Sequence, residues 1–404
     1  MKLLYYFPFS LFLVLASSVN GDDLSLLSDT KKNILHYEYE NIDAEHQKLR
    51  NDWLSPINLN GSYSTNKSAQ GDYHNTLGSV SASLSQDIFR SGGITYQIEY
   101  ADAKQQTRNI QLKQTIASLN GQIFNTLLNL KKNNYQLEQS NLRLKNKEIE
   151  IFIKHQLYDA GKVDITELNN ALMGKSSELK TRSSLRYVIA QEHLELSKYS
   201  DLDPDTLSLP TFSLIEKDSY LKDQFDLAYN RAQSQTLARL YDVTKTKYLP
   251  SLALNTTVGY QNYDAHELPT DYRGNYYTAG LSLNIPLSYN ASSTIQESRS
   301  AYLKENASTA DKSRQIEAIY KQSLELIASY NDVIAITHQN LTLYNDLIQA
   351  TQAGVNAGVK TGYDLQTLKN TKSIEELEIK INEINIQIEL AKLHFSLNTS
   401  KDIR

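Results

Sequence analysis

The chain has 404 residues, 40% of them hydrophobic and 22% charged, and a formal net charge of −5. That length holds one large or two ordinary domains, and without a basic excess nothing points to a nucleic-acid partner. Cysteine is absent, which excludes thiolate metal sites, thiol nucleophiles, disulfides and a lipid-bearing cysteine behind a leader.

Residues 1–21 read as a signal peptide. Met1-Lys2 is a short positive start, Leu3 to Leu15 is nearly all apolar, and small residues follow at Ala16, Ser17 and Ser18. Cleavage after Ser18 or after Gly21 both fit, and the apolar run is too short to span a bilayer comfortably. A helix is predicted over 24–53. Strands follow over 57–66 and 76–88, because Ile57, Leu59, Gly61 and Tyr63, then Val80, Ala82 and Leu84, alternate with Ser and Asn. A long helix is expected over 93–158, with Ile116, Ile123, Leu130, Leu137, Leu144 and Ile151 at seven-residue steps. At a rise of 1.5 Å per residue it would be about 100 Å long. A tip at 159–164 contains Gly161, placed where a glycine turns the backbone left-handed past a helix end, and a helix over 165–198 completes a first repeat, 22–198.

Residues 199–217 carry Pro204, Pro210, Asp201, Asp203 and Asp205 without periodicity, and read as a connector. The plan then recurs over 218–398, with a helix at 218–248, strands at 250–261 and 275–288, a long helix at 292–355, a tip at 356–362 holding Gly358, and a helix at 363–398. Residues 399–404 form a tail. The two halves align at nearly one offset in three places: Trp53–Asn60 with Tyr248–Asn255, Val80–Leu84 with Ala279–Leu283, and Tyr158–Lys162 with Val355–Val359. The fold class is therefore mainly α with a small β part, built from a duplicated strand–strand–long helix–helix unit.

Tyrosine is over-used, 27 against 9 phenylalanines. Tyr63, Tyr73, Tyr260, Tyr263, Tyr272, Tyr276, Tyr277 and Tyr289 crowd the strand ends and loops, where an aromatic belt of a membrane barrel belongs. Four strands cannot close a barrel, and open strand edges in lipid cost several kcal/mol per unpaired backbone group. Strands in a membrane would require several copies.

Several segments carry a family resemblance. Tyr248-Leu249-Pro250-Ser251-Leu252-Ala253-Leu254 is similar to the barrel entry of the TolC-like outer-membrane efflux proteins. Leu84-Ser85-Gln86-Asp87-Ile88-Phe89-Arg90-Ser91-Gly92-Gly93 and Leu283-Asn284-Ile285-Pro286-Leu287 resemble that family's barrel-to-helix exits. Tyr158-Asp159-Ala160-Gly161 and Lys360-Thr361-Gly362-Tyr363-Asp364-Leu365 resemble its two helix-tip turns. The resemblance, covering nearly the whole mature chain, implies a homotrimer in the Gram-negative outer membrane and its lipid. A twelve-stranded β-barrel would join a periplasmic α-helical barrel of coiled-coil hairpins. It implies an inner-membrane pump and a periplasmic adaptor (membrane fusion) protein as partners, in a tripartite efflux or type I secretion system. It also implies a gate at the tips, with Thr166 and Glu167 on the first and Lys360 on the second for a linking pair, and Asp364 in an acidic ring. Thr367 stands where some members carry a second aspartate, and Val355 replaces a tyrosine of the family's latch.

From the residues alone, an exported coiled-coil structural or adaptor protein with a small soluble sheet is the competing reading. Eight histidines are scattered without metal-ligand spacing, and no nucleophile elbow, phosphate loop or dinucleotide fingerprint appears. No cofactor, no metal and no enzymatic activity are expected.

Overall fold

A computed structural model describes residues 26–67, 74–204, 211–266 and 272–398. The leader, Tyr73, Asp205, Pro210 and the tail at 399–404 lie outside the described residues. Four strands and seven helices follow in the order α1 (Asp29–Arg50), β1 (Asn58–Lys67), β2 (His74–Phe89), α2 (Gly93–Asp159), α3 (Ile165–Leu196), α4 (Lys217–Lys222), α5 (Phe225–Thr246), β3 (Ser251–His266), β4 (Tyr272–Asn284), α6 (Ala291–Asn356) and α7 (Gly362–Phe395). Among the described residues no helix is long and apolar enough to cross a membrane.

The fold comprises two compact units. Among the described residues, one gathers those of 26–33, 116–204 and 341–384; the other gathers those of 34–115, 211–340 and 385–398. The first is helical. Its apolar seam includes Ile116, Ile123, Leu130 and Leu144 on α2 and Leu377, Ile381 and Ile384 on α7, all buried. Polar residues interrupt the seam at fixed points. Gln139 Nε2 donates to the Ile374 carbonyl at 3.0 Å and to Glu378 at 2.9 Å, and Asn370 Nδ2 donates to Asn146 Oδ1 at 2.8 Å. Buried amides of this kind fix which residues face each other, since any slip leaves them unpaired.

The second unit carries the sheet, in which β1, β2, β3 and β4 lie side by side in chain order, each pair antiparallel. β2 passes into α2 through Ser91 and Gly92, both left-handed at φ 51° and 86°, and Ser91 Oγ donates to the Pro250 carbonyl at 2.7 Å. α1 is clipped to the start of α2 by charge: Arg108 meets Glu38 at 2.6 Å, Lys104 meets Glu45 at 2.7 Å, and His46 meets Asp102 at 2.7 Å. Elsewhere Tyr220, Leu227, Ile316, Tyr320, Leu393 and Leu397 form a buried apolar cluster.

Several expected boundaries differ: α1 ends at Arg50 rather than 53, β3 continues to His266 rather than 261, and three further differences have a physical reason. The helix predicted over 218–248 is broken at Asp223-Gln224 into α4 and α5. The backbone there pairs instead with the end of the chain: Asn398 N–H donates to the Asp223 carbonyl at 2.6 Å, Phe225 N–H to the Ser396 carbonyl at 3.0 Å, and Gln224 bridges Leu397. For the same reason the last helix stops at Phe395 rather than 398. The strand predicted over 275–288 runs from Tyr272 to Asn284, ending before Pro286, which has no N–H to give a ladder.

Candidate functional site

Residues paired directly across antiparallel strands share a face, so the register sorts the sheet into two surfaces. On one surface Leu59, Ala82, Val258 and Tyr277 form a row; Gly61, Val80, Tyr260 and Asn275 form the next; and Leu254 with Leu281 and Leu252 with Leu283 lie toward the helices. These large apolar side chains are exposed, Leu59 at 81%, Tyr277 at 84% and Leu281 at 65%. From Leu252 to Tyr260 the band covers about 27 Å of strand, or about 20 Å of height if the strands tilt by about 40°. Toward the loops it gives way to polar and charged rows: Tyr63 and Gly78 with Asn262 and Arg273, then Asp264 with Thr65 and Thr76 on the adjoining strands, then Lys67. An apolar band with charge beyond its loop end matches the wall of a membrane barrel.

The opposite surface is hydroxyl and amide. Ser62, Ser79, Ser81, Ser83, Ser85, Asn255, Thr257, Thr278 and Ser282 belong to it. Ser62 and Ser79 hydroxyls meet at 2.8 Å, Ser85 Oγ donates to Asn255 Oδ1 at 2.6 Å, and Asn255 Nδ2 donates to Ser282 Oγ at 2.8 Å. β1 and β4 pair on one side only, so each presents an open edge to another chain.

The register divides the expected tyrosine belt. Tyr63, Tyr260 and Tyr277 stand on the apolar surface, but Tyr263, Tyr272 and Tyr276 stand on the polar one. Tyr276 and Tyr277 are neighbours in a strand and point to opposite sides. Tyr289 lies beyond β4, fully exposed before α6, and Tyr73 is outside the described residues. Of the eight, the six in strands thus divide three to each surface of the sheet.

At the other candidate site, the helix turns, α2 ends with Gly161 N–H donating to the Tyr158 carbonyl and Lys162 N–H to the Leu157 carbonyl, both at 2.8 Å. α6 ends the same way, with Gly358 bonded to Val355 at 3.0 Å and Val359 to Gly354 at 2.9 Å. Both glycines are left-handed, φ 66° and 74°, as this closure requires. Asp164 caps α3 through Thr166 N–H at 3.2 Å. Thr361 and Asp364 cap α7 reciprocally: Asp364 N–H donates to Thr361 Oγ1 at 3.2 Å, and Thr361 N–H donates to Asp364 Oδ2 at 2.9 Å. The Thr361 N–H and the Thr361 hydroxyl, which also donates to Asp364 Oδ2 at 2.8 Å, hold the Asp364 carboxyl below its ordinary value, with the Lys360 charge adding to them. Glu167 forms its ion pair with Lys154 on α2, and Thr367 accepts from Thr371 Oγ1 through its carbonyl at 2.9 Å.

Three participants escaped the sequence reading. Gly354 is needed because a Cβ there would lie 2.7 Å from Lys360 Cγ. Phe152 on α2 packs against Tyr363 with ring centroids 5.1 Å apart. Lys154 holds Glu167, a pairing across a turn that no local spacing announces.

The reciprocal cap makes a pH prediction. A carboxyl held below its unfolded value contributes stability above that value and loses it as pH falls through the folded one. The first turn of α7, from Gly362 to Leu365, is expected to lose amide-exchange protection on acidification below the ordinary aspartate value of 3.8. Thr361→Ala should weaken the same turn by about 1 kcal/mol at neutral pH and flatten that pH dependence, both read by hydrogen exchange.

Comparison with known proteins fits this architecture. A search of curated proteins found no match. Among solved structures, the outer membrane protein VceC of Vibrio cholerae superposes with a TM-score of 0.69 at 14% identity, over 94% of this chain and 95% of that one. The CmeC outer membrane channel of Campylobacter jejuni gives 0.71 at 14%, over 94% and 86%. The open-state MtrE outer membrane channel of Neisseria gonorrhoeae gives 0.62 at 13%, over 93% and 87%. These identities carry the fold alone. The family model for outer membrane efflux proteins matches residues 37–200 and 218–398, both structural repeats, and the chain belongs to that family.

Proposed function

We propose that this chain is one subunit of a trimeric exit duct in the outer membrane, which conducts cargo passively from a periplasmic adaptor and inner-membrane pump to the exterior. The observation that carries this reading is the sheet: four strands, two open edges, one apolar surface with charge beyond its loop end and one hydroxyl-lined surface. Three copies joined edge to edge make twelve strands, which satisfies every backbone group in lipid. The helices also offer surfaces for other copies. α3 exposes Ile165, Leu172 and Leu179 at seven-residue steps, and α6 exposes Ile336 and Leu343 at the same step, which is the pattern of a helix that packs on another chain. The channel performs no chemistry in this reading.

The tips are proposed as the gate, with Thr166, Glu167 and Lys360 in linking contacts and Asp364 as an acidic ring. Three Asp364 carboxylates about a narrow axis repel each other and attract cations, and each is already aimed by its own cap. Purified protein in planar bilayers is expected to give discrete conductance steps. Asp364→Asn combined with Lys360→Ala is expected to raise single-channel conductance and weaken block by polyvalent cations. Unchanged conductance would remove the gate from the tips. A protein released from membranes by salt, running as a soluble rod, would remove the duct.

A further inference from the structure

The three tyrosines displaced from the outer belt form a group of their own. On the polar surface near the β3–β4 loop, consecutive rows pair Tyr263 with Tyr272, Gln261 with Gly274, and Gly259 with Tyr276. Along this face of β4 tyrosine and glycine alternate, as Tyr272, Gly274 and Tyr276, while β3 offers Gly259 opposite Tyr276, and the rings use the vacancies. A Cβ added to Gly274 would lie 3.3 Å from the Tyr272 hydroxyl, and one added to Gly259 would lie 2.8 Å from Tyr276 Cε1. Both rings therefore lie along the wall over glycines instead of projecting from it. Tyr263 is tied sideways, its hydroxyl accepting from Asn75 Nδ2 at 3.3 Å. Tyr263 and Tyr276 are half-buried against the sheet and Tyr272 is 52% exposed, while on the other surface Tyr260 is 47% and Tyr277 84% exposed. The two populations of tyrosine thus differ in side.

We infer that Tyr263, Tyr272 and Tyr276, repeated in each subunit, form an aromatic collar lining the exit end of the duct, held flat by Gly259 and Gly274, against which cargo slides. This rests on the barrel reading above and deepens it. Four residue steps separate Tyr263 from Gly259, so the collar spans about 13 Å of strand. Its surface is uncharged. Ring faces and phenolic hydroxyls meet the apolar and hydrogen-bonding parts of a cargo, while the serine and threonine rows nearer the helices offer only polar contact. A collar of this composition sets width and affinity for aromatic or amphipathic solutes rather than selecting by charge.

The chain's lack of cysteine makes it a clean background for the test. Single variants Tyr272→Cys and Tyr277→Cys are placed in the otherwise wild-type protein, reconstituted in bilayers, and treated with a charged, membrane-impermeant methanethiosulfonate. Reaction at position 272 with a fall in conductance, and none at 277, is expected. With the tips opened by Asp364→Asn and Lys360→Ala, so that they no longer limit the current, Tyr263→Ala/Tyr272→Ala/Tyr276→Ala is expected to raise conductance about 1.5-fold further through the wider bore. The outward set Tyr63→Ala/Tyr260→Ala/Tyr277→Ala should leave conductance unchanged. A conducting protein in which 277 reacts and 272 does not, or in which the outward set changes conductance as much as the inward one, overturns the collar and leaves the duct standing. A wild-type protein that never conducts overturns the duct, and the collar with it. Should the triple variant fail to assemble, the two cysteine variants decide the matter alone.

Discussion

Leu281→Lys is expected to abolish assembly of the chain in the outer membrane, whereas Ser81→Lys, on the other surface of the same sheet, is expected to be tolerated. Leu281 pairs with Leu254 inside the apolar band and is 65% exposed. No side chain of its own sheet covers it, so lipid is its solvent in the barrel. On a barrel's outer face a lysine costs about 2–4 kcal/mol at the bilayer midplane and about 0–1 kcal/mol near the interface, and Leu281 lies between the two, one row in from the helix end of the band. Every subunit of the proposed trimer carries the change, so the cost is incurred three times against a stability that is itself small. Ser81 lies on the hydroxyl surface opposite Gly259, where a lysine keeps its water and shifts ion selectivity toward anions. The heat-modifiable oligomer in outer-membrane fractions measures the first effect, and reversal potential in a salt gradient measures the second. The opposite pattern, with Leu281→Lys assembling and Ser81→Lys failing, would mean that the polar surface faces lipid.

Leu393→Ala is expected to cost about 3 kcal/mol, within the range for leucine truncation in a close-packed core. Leu393 is 1% exposed and clusters with Tyr220, Leu227, Ile316, Tyr320 and Leu397. Tyr220 and Tyr320 pack at 5.0 Å between ring centroids, and the Tyr320 hydroxyl donates to the Ile215 carbonyl at 2.7 Å. Truncation leaves a void under rings that are already anchored and so cannot collapse into it. The bridge between Gln224 and Leu397 should open first, exposing the α4–α5 junction to protease. Ile316→Val, which removes one methylene, should cost about 1 kcal/mol. Denaturant midpoints of the detergent-solubilised protein and the rate of nicking at 223–225 together test the ranking.

The sequence exposes most of this fold because its signals are periodic. Heptads such as Ile116, Ile123 and Leu130 mark α2, and alternation such as Leu252, Leu254 and Thr256 marks β3. Gly161 and Gly358 mark the turns, where only a residue without Cβ closes the backbone cheaply. Pairings between distant segments are silent. Nothing local announces that Gln224 will bridge Leu397, that Lys154 will hold Glu167, or that Gly354 must be bare to admit Lys360. The division of the tyrosines, by contrast, is legible. Tyr276 and Tyr277 are adjacent in a strand, so period two places them on opposite faces, which composition alone does not reveal. The Thr361-x-x-Asp364 spacing was likewise a readable helix-start signature, and it gives Asp364 a local duty that a reading centred on a charged ring overlooked.

The closing of the Tyr220 cluster by Leu393 and Leu397 bears on the timing of maturation. These residues follow both hairpins in the chain, so every strand is synthesised before the piece that completes this cluster. Contacts so distant in sequence are slow to form. In the proposed duct the cluster would therefore consolidate last, after every strand is already available for pairing with another copy.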